Sequence, residues 1–103
     1  MTAPHQIDMS AADRLLVVGI LEAHLPAGAR IWVFGSRAMG RARRYSDLDL
    51  MVDAGRPLSL DETAVLREAF EESDLPYRVD LVDSHGIDEL FLNKIEAGRL
   101  PLR

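Results

Sequence analysis

The feature that most restricts the fold of this chain is a short apolar segment that ends in a glycine and a serine, followed by a second segment with two aspartates. Residues 31–34 (IWVF) lead directly into Gly35 and Ser36. An apolar run of this kind is typical of a central strand covered on both faces. The second segment, DLDLMVD, begins at Asp47 and alternates aspartates with apolar residues, so a strand here would bury its leucines and turn Asp47 and Asp49 to one side. The two segments predict two strands that carry polar groups suited to chemistry.

Capping residues and apolar periodicity predict two helices around these strands. Ser10 with Asp13 three positions later resembles a helix cap, and apolar residues then recur at helical spacing to about Leu25. Ser59 and Glu62 have the spacing of a capping box. They predict a second helix that ends before the proline of LPYR.

The last third of the chain predicts a further strand and helix. A strand is expected at residues 78–82, where Asp80 projects from the sheet on the side opposite its apolar neighbours. The last periodic segment ends near Gly98, which would cap a helix, and LPLR follows as a short tail. The predicted order is helix, strand, strand, helix, strand, helix, in a single domain over residues 1–103.

Charge and composition exclude several classes of function. With a net charge of -5 and a pI near 5.1, the chain repels a nucleic-acid backbone, so general nucleic-acid binding is disfavoured. The absence of cysteine excludes a thiolate nucleophile and a sulfur-ligated zinc site. The longest apolar run, residues 15–21, is too short to span a bilayer, and the N-terminus has no secretory features. A cytoplasmic protein without membrane contact is expected. His5, His24 and His85 are scattered and receive no role.

The polar residues of the three predicted strands suit a metal-bound nucleoside triphosphate. Gly35 can bring backbone close to a ligand, and Ser36 offers an amide and a hydroxyl to phosphate oxygens. Asp47 and Asp49 offer hard oxygens to one or two magnesium ions. Asp80 would complete the ligands of the ion that activates the acceptor, or take the acceptor's proton itself. This set matches what nucleotidyl transfer requires.

Four arginines, Arg37, Arg41, Arg43 and Arg44, concentrate positive charge between the two motif halves. They could contact a triphosphate or a partner, or form an ordinary solvated loop. Arg37, which adjoins Ser36, is the candidate for nucleotide contact. Ser46 is expected to shape the turn before Asp47.

Other proteins also use an aspartate pair of this kind. Haloacid-type phosphatases place theirs near the N-terminus and follow it with a small hydroxylic residue, whereas Met51 and Val52 follow here. Glycosyltransferases that hold a sugar nucleotide with such a pair need a far larger fold. Aspartates at a strand end can also simply face water. Nucleotidyl transfer fits the whole set better than these alternatives.

The same residues resemble the minimal nucleotidyltransferases (MNT) of the DNA polymerase β superfamily. That family has an apolar strand, then GS, then roughly ten residues, then DxD, and here the ten residues 37–46 intervene. The string GSRAMGRARRYSDLDLMV is similar to that of MNT antitoxins, which pair with a helical HEPN-type partner, and VDLVD supplies the third acidic residue. The resemblance implies an α+β nucleotidyltransferase fold, in two layers, with a small mixed sheet flanked by helices.

The resemblance also implies an activity. Gly35 and Ser36 would hold the triphosphate, Asp47 and Asp49 would bind magnesium, and Asp80 would be the third catalytic carboxylate. The expected reaction is transfer of AMP from ATP to a hydroxyl on a partner protein, as the antitoxin of a HEPN/MNT pair. The alternative is a subunit that binds nucleotide or its partner without catalysis. Because longer relatives append a helical domain that completes the acceptor site, we expect a second polypeptide to supply it here.

Overall fold

A four-stranded sheet with three helices forms this protein, in a computed structural model that describes residues 6–103. His5 lies outside the described residues. The helices are α1 (Ala11–His24), α2 (Leu60–Glu71) and α3 (Glu89–Glu96). The strands are β1 (Arg30–Phe34), β2 (Leu48–Asp53), β3 (Val79–Asp83) and β4 (Leu100–Pro101). A short 3-10 helix, Gly35–Arg37, follows β1. The predicted order of helices and strands is confirmed, with one strand added at the end.

The sheet is mixed, with strand order β3-β2-β1-β4. β1 runs antiparallel to both β2 and β4, whereas β2 and β3 are parallel. In this register Asp49 lies opposite Phe34 of β1 and beside Asp80 of β3. The sheet therefore brings the ends of three strands together at the glycine-serine turn, and the mixed α+β fold expected from the resemblance is confirmed.

One face of the sheet forms the main core with α1 and α2. The fully buried side chains there come from both helices and from the central strands: Val17, Leu21, Ile31, Val33, Leu48, Leu50, Val52 and Leu66. The opposite face meets α3 near the end of β1, where the Phe34 and Phe91 rings pack edge to face at 6.3 Å. Asp49 of β2 and Asp80 of β3 lie on this second face, because they alternate with the leucines that point into the main core.

The helix starts follow the predicted caps. The Ser10 side chain accepts a hydrogen bond from the Asp13 amide, and Ser59 and Glu62 form a complete capping box. These bonds satisfy amide groups that a helix start leaves without intrahelical partners. The third helix is shorter than its periodic segment, because Asp88 caps it at the Phe91 amide and Ala97 ends it.

The prediction that LPLR is a tail is wrong. Leu100 and Pro101 pair with Val33 and Trp32 of β1, and the Leu102 side chain is buried. A strand of two residues is too short to show the alternation by which strands are recognised in a sequence. Within residues 6–103, none of the helices has the length and apolar character needed to cross a bilayer.

Candidate functional site

Three carboxylates gather where β2 and β3 run side by side. Asp49 and Asp80 are register partners in the parallel pair, and Asp47 precedes β2 directly. Asp49 is partly buried, whereas Asp47 and Asp80 are exposed. The sequence had placed these residues on two strands of unknown pairing, and the parallel register now brings Asp80 beside Asp49.

The charges of this acidic cluster, defined as Asp47, Asp49 and Asp80, repel one another. The pKa of Asp49 is raised to about 6, first by burial and then by the negative charges of Asp80 and Asp47. A carboxylate in this situation holds its proton more tightly than one in water, unless a cation neutralises the cluster. The site therefore favours the binding of positive charge.

Gly35 approaches the cluster from the end of β1. Its φ of +72° lies in the left-handed region that favours glycine. A Cβ atom at this position would overlap the Asp49 carboxylate and stand 3.2 Å from its Cγ atom. Gly35 thus meets two requirements at once, a left-handed turn and a close approach to the central aspartate.

Ser36 occupies the turn that follows. Its carbonyl oxygen accepts hydrogen bonds from the amides of Met39 at 3.3 Å and Arg41 at 3.0 Å, which fixes the backbone of the turn. The 3-10 helix has no side-chain cap at its start. Because the first amides of a helix lack intrahelical acceptors, this end of the turn can donate to a ligand such as a phosphate.

Arg37 is placed differently from the expectation that it contacts a nucleotide. Its side chain is 4% exposed, and its guanidinium donates to the carbonyl oxygens of Asp8 at 2.8 Å and Ser46 at 2.8 Å and 3.0 Å. The guanidinium also lies 3.8 Å from the centre of the Tyr77 ring. These contacts direct the charge into the protein, so the geometry gives no support to a triphosphate contact.

Arg41, Arg43 and Arg44 are exposed, unlike Arg37. Among the salt bridges of residues 6–103, none involves these three arginines. Their positive charge is open to solvent, and both of their predicted roles stay predictions. Ser46 shapes the turn as expected, because its hydroxyl accepts a hydrogen bond from the Arg43 amide at 2.8 Å.

Two recesses lie near the site, one beside Gly35 and one beside Asp80. The first, of about 200 Å³, lies beside Gly35 and is mostly apolar; its lining includes Phe34, Met39, Phe91 and Lys94. The second, of about 670 Å³, lies beside Asp80; its lining includes Arg67, Phe70, Tyr77 and Arg78. The glycine end and the Asp80 end of the site therefore each adjoin space for a ligand group.

The donor groups suit magnesium, but only together with other ligands. In the part of the chain that is described, no group of three or more His, Asp or Glu side chains is arranged to hold a metal ion. Magnesium is usually bound by one or two carboxylates together with substrate phosphates and water, and not by an all-protein cage. The coupled carboxylates of Asp47, Asp49 and Asp80 fit a cation that arrives with a phosphate group.

Comparison with known proteins decides the family. Residues 20–100 match the family model described as polymerase beta, nucleotidyltransferase. The chain belongs to the polymerase β nucleotidyltransferase family. This membership makes the chain a nucleotidyltransferase, as its residues predicted, and the matched range includes the glycine-serine turn and the acidic cluster.

Several relatives of this nucleotidyltransferase are known. It is 45% identical over 83 residues to the probable protein adenylyltransferase MntA of Haemophilus influenzae, a match that covers 81% of this chain and 72% of that protein. A toxin-antitoxin crystal structure with AMP-PNP superposes with a TM-score of 0.76 at 25% identity, covering 88% of this chain and 73% of that one. A complex of tri-AMPylated Shewanella oneidensis HEPN toxin with MNT antitoxin gives 0.71 at 21% identity, covering 92% and 72%. At that identity the last match shows the fold alone.

Nothing in the sequence indicated one residue that contacts Arg37 beside the candidate site of this nucleotidyltransferase. Tyr77 precedes β3 and stacks on Arg37, and its hydroxyl donates to Asp13 of α1 at 3.0 Å. Burial, followed by the hydrogen bond to Asp13, raises the pKa of the Tyr77 hydroxyl to about 12. An aromatic residue before a strand is common in protein cores. The sequence around Tyr77 therefore does not predict its contact with Arg37, forty positions earlier.

Proposed function

We propose that this nucleotidyltransferase transfers AMP from magnesium-bound ATP to a hydroxyl group of a partner protein. The observation that carries the proposal is the placement of Asp49 between Gly35 and Asp80. It sets an anion-binding turn against an acidic cluster whose mutual repulsion a metal ion would relieve. The name of the Haemophilus influenzae relative and the AMP-PNP in the toxin-antitoxin structure support adenylyl transfer in particular.

Each residue of the site receives a role in this proposal. The turn at Gly35 and Ser36 holds the β- and γ-phosphates through backbone amides. Asp47 and Asp49 would bind the metal ions, and Asp80 would be a further metal ligand. Magnesium, when bound, supplies charge neutralisation for the triphosphate and lowers the pKa of the attacking hydroxyl. In this proposal the recess beside Gly35 accommodates part of the nucleotide, and the recess beside Asp80 accommodates the acceptor group.

The reaction is a substitution at the α-phosphorus. The acceptor oxygen forms a bond to this phosphorus while the bond from phosphorus to the bridging oxygen of the β-phosphate breaks. Pyrophosphate leaves with the electron pair of that bond. Asp80, exposed at the acceptor side, takes the hydroxyl proton directly or through water. AMP is left esterified to the acceptor.

The partner we propose is a HEPN-type toxin, which this chain would silence as its antitoxin in the cytoplasm. Support comes from the relatives: toxin-antitoxin structures share the fold, one of them with an AMPylated HEPN toxin. The recess beside Asp80 is open to solvent, and Arg67 and Arg78 are among its lining residues. A partner hydroxyl can enter there without disturbing the turn that holds the nucleotide.

The test is to purify the chain with its co-expressed partner and incubate the complex with magnesium and ATP labelled at the α-phosphate. Label should appear on the partner protein, whereas ATP labelled at the γ-phosphate should leave none. Asp80→Asn should lower the transfer rate by at least about 100-fold, since a positioned proton acceptor contributes about 10²–10⁴-fold. The exposed Asp61 of α2 offers a matched control, because Asp61→Asn removes the same charge away from the site.

The outcomes separate the proposal from its alternative. Transfer that survives in Asp80→Asn would contradict the role of Asp80. Magnesium-dependent binding of ATP without any transfer would instead identify a non-catalytic nucleotide-binding subunit. Absence of both would contradict the proposed function itself.

A further inference from the structure

Arg37 is the most completely engaged charged side chain near the acidic cluster. Its Nε and Nη2 atoms donate to the Ser46 carbonyl oxygen at 3.0 Å and 2.8 Å, and Nη2 also donates to the Arg44 carbonyl at 3.2 Å. Nη1 donates to the Asp8 carbonyl at 2.8 Å, while the Arg37 carbonyl accepts from the Asp8 amide at 2.8 Å. The guanidinium thus ties the loop before Asp47 to the segment before α1.

The partners of this buried cation are neutral. Among the salt bridges of residues 6–103, none includes Arg37, so backbone carbonyl oxygens and the face of the Tyr77 ring surround the charge. Burying an arginine is costly unless its donors are matched, and here every nitrogen of the guanidinium finds an acceptor. These hydrogen bonds fix the guanidinium and, in turn, restrict the movement of the Asp8 and Ser46 carbonyl groups.

The bonds to Ser46 act directly on Asp47. The Ser46 carbonyl oxygen and the Asp47 nitrogen belong to one planar peptide unit, so fixing the oxygen fixes the plane from which the Asp47 Cα projects. On the other side of Asp47, the Leu48 amide donates to the Arg78 carbonyl at 2.8 Å. Asp47 is therefore held between an arginine clamp and the first hydrogen bond of the β2–β3 pair.

The same guanidinium contacts the segment that leads to Asp80. Its central carbon lies 3.8 Å from the centre of the Tyr77 ring, and Tyr77 stands three residues before Asp80. The Tyr77 hydroxyl is anchored on Asp13 of α1 at 3.0 Å. One face of the guanidinium thus packs on Tyr77, three residues before Asp80, while its edge donates to Ser46, the residue before Asp47.

We propose that Arg37 is a positioning residue that fixes Asp47 relative to Asp80, so that both carboxylates can reach a metal ion delivered with the nucleotide. The proposal rests on the proposed function, because it concerns the same metal-nucleotide site. It replaces direct triphosphate contact as the role of Arg37. Lysine cannot take its place, since one ammonium group lacks the planar fork that bonds two carbonyl oxygens while stacking on a ring.

The experiment compares the binding of AMP-PNP to the chain, with Mn²⁺ and with EDTA, in the native chain and Arg37→Lys. The affinity for Mn²⁺ in the AMP-PNP complex is measured by electron paramagnetic resonance. Groups that orient metal ligands typically contribute 10–100-fold to metal affinity, so Arg37→Lys should weaken Mn²⁺ binding about tenfold. Its AMP-PNP affinity in EDTA should be unchanged. Arg56→Lys is the matched control, because Arg56 is exposed and pairs with Glu62 at 2.8 Å beyond the other end of β2, and it should match the native chain in both measurements.

A second variant keeps the test decisive if Arg37→Lys fails to fold. Ser46→Ala removes the hydroxyl that accepts from the Arg43 amide at 2.8 Å and loosens the clamped turn without touching a buried charge. It should weaken Mn²⁺ binding in the same direction by a smaller factor. Unchanged Mn²⁺ affinity in Ser46→Ala, with Arg37→Lys unfolded, would overturn the proposal.

The remaining outcomes are distinct. A lower melting temperature in Arg37→Lys with unchanged Mn²⁺ affinity would make Arg37 a purely structural residue. An equal loss of AMP-PNP affinity with Mn²⁺ and with EDTA would restore direct triphosphate contact. Either result overturns the positioning role. If the native chain binds AMP-PNP equally well with Mn²⁺ and with EDTA, that result contradicts the proposed function itself. It is obtained with the native chain alone and is therefore distinct from any difference between the variants.

Discussion

At the scale of single residues, Asp49 combines burial with two negative neighbours. Its pKa of about 6 in the folded protein lies above the ordinary value of 3.8. Between these two values the folded chain binds more protons than the unfolded chain, so this group lowers the free energy of unfolding as the pH rises from about 4 to about 6. The acidic cluster is therefore a source of instability at neutral pH when no cation is bound.

Asp49→Asn should stabilise the metal-free protein at pH 7. Discounted for the solvent screening of a partly exposed carboxylate, the raised pKa corresponds to about 1–2 kcal/mol. Thermal unfolding in EDTA should show a higher melting temperature for Asp49→Asn at pH 7, and the difference should shrink as the pH approaches 4. Asp61→Asn, which removes an exposed charge from α2, should not raise the melting temperature at pH 7. A lower melting temperature for Asp49→Asn at pH 7 would contradict this account.

Gly35→Ala should destabilise the fold through two separable effects. Gly35 has a φ of +72° and a close contact with the Asp49 carboxylate, whereas Gly55 has a φ of +80° and open space where its Cβ would stand. Gly55→Ala therefore measures the left-handed backbone alone, a cost of about 1 kcal/mol or more. Chemical denaturation should show a larger loss for Gly35→Ala than for Gly55→Ala. Equal losses would mean that Asp49 moves aside freely.

At the scale of helices and strands, the sequence predicted what depends on local signals. Ser10, Ser59 and Glu62 mark helix starts because each cap is formed within three residues of the chain. The pairing of Asp49 with Asp80 depends on a parallel register set by a crossover through α2, so no short window of sequence contains it. The burial of Arg37 could not be predicted for the same reason, because its acceptors, the carbonyl oxygens of Asp8 and Ser46, lie 29 and 9 residues away in sequence.

The last strand offers a test at this scale. Leu102 is 6% exposed, and its amide donates to the Ile31 carbonyl at 2.8 Å, so the C-terminal segment closes the edge of the sheet beside β1. Leu102→Ala should lower the free energy of unfolding by about 2–4 kcal/mol, as deletion of a buried leucine side chain does. Leu60→Ala, at a position that is 89% exposed, should change it by less than about 0.5 kcal/mol. If denaturant unfolding shows the same change for Leu102→Ala and Leu60→Ala, residues 100–103 do not contribute to the fold and behave as a tail.

At the scale of the whole molecule, charge links the nucleotide to the metal. The chain carries a net charge of -5, and Asp49 of its acidic cluster lies against Gly35 in the turn that would hold a triphosphate. Without a cation, the cluster repels the phosphates that the turn attracts. Without a nucleotide, the described residues offer no group of three ligands for a metal. The metal ion therefore supplies the positive charge that the nucleotide needs, and the nucleotide supplies phosphate ligands that the metal ion needs.

Magnesium and AMP-PNP should consequently stabilise the protein together far more than separately. At concentrations near 100 times the dissociation constant, a ligand that binds only the folded state adds about 2.7 kcal/mol, which raises the melting temperature of a domain of this size by about 10–20 °C. Differential scanning fluorimetry should show this rise with both ligands and only a small rise with either one. Asp49→Asn should reduce the combined rise, because it removes a proposed metal ligand while leaving the Gly35 turn intact. A full rise with AMP-PNP in EDTA would mean that the turn binds the triphosphate unaided, and that the acidic cluster serves the acceptor and not the nucleotide.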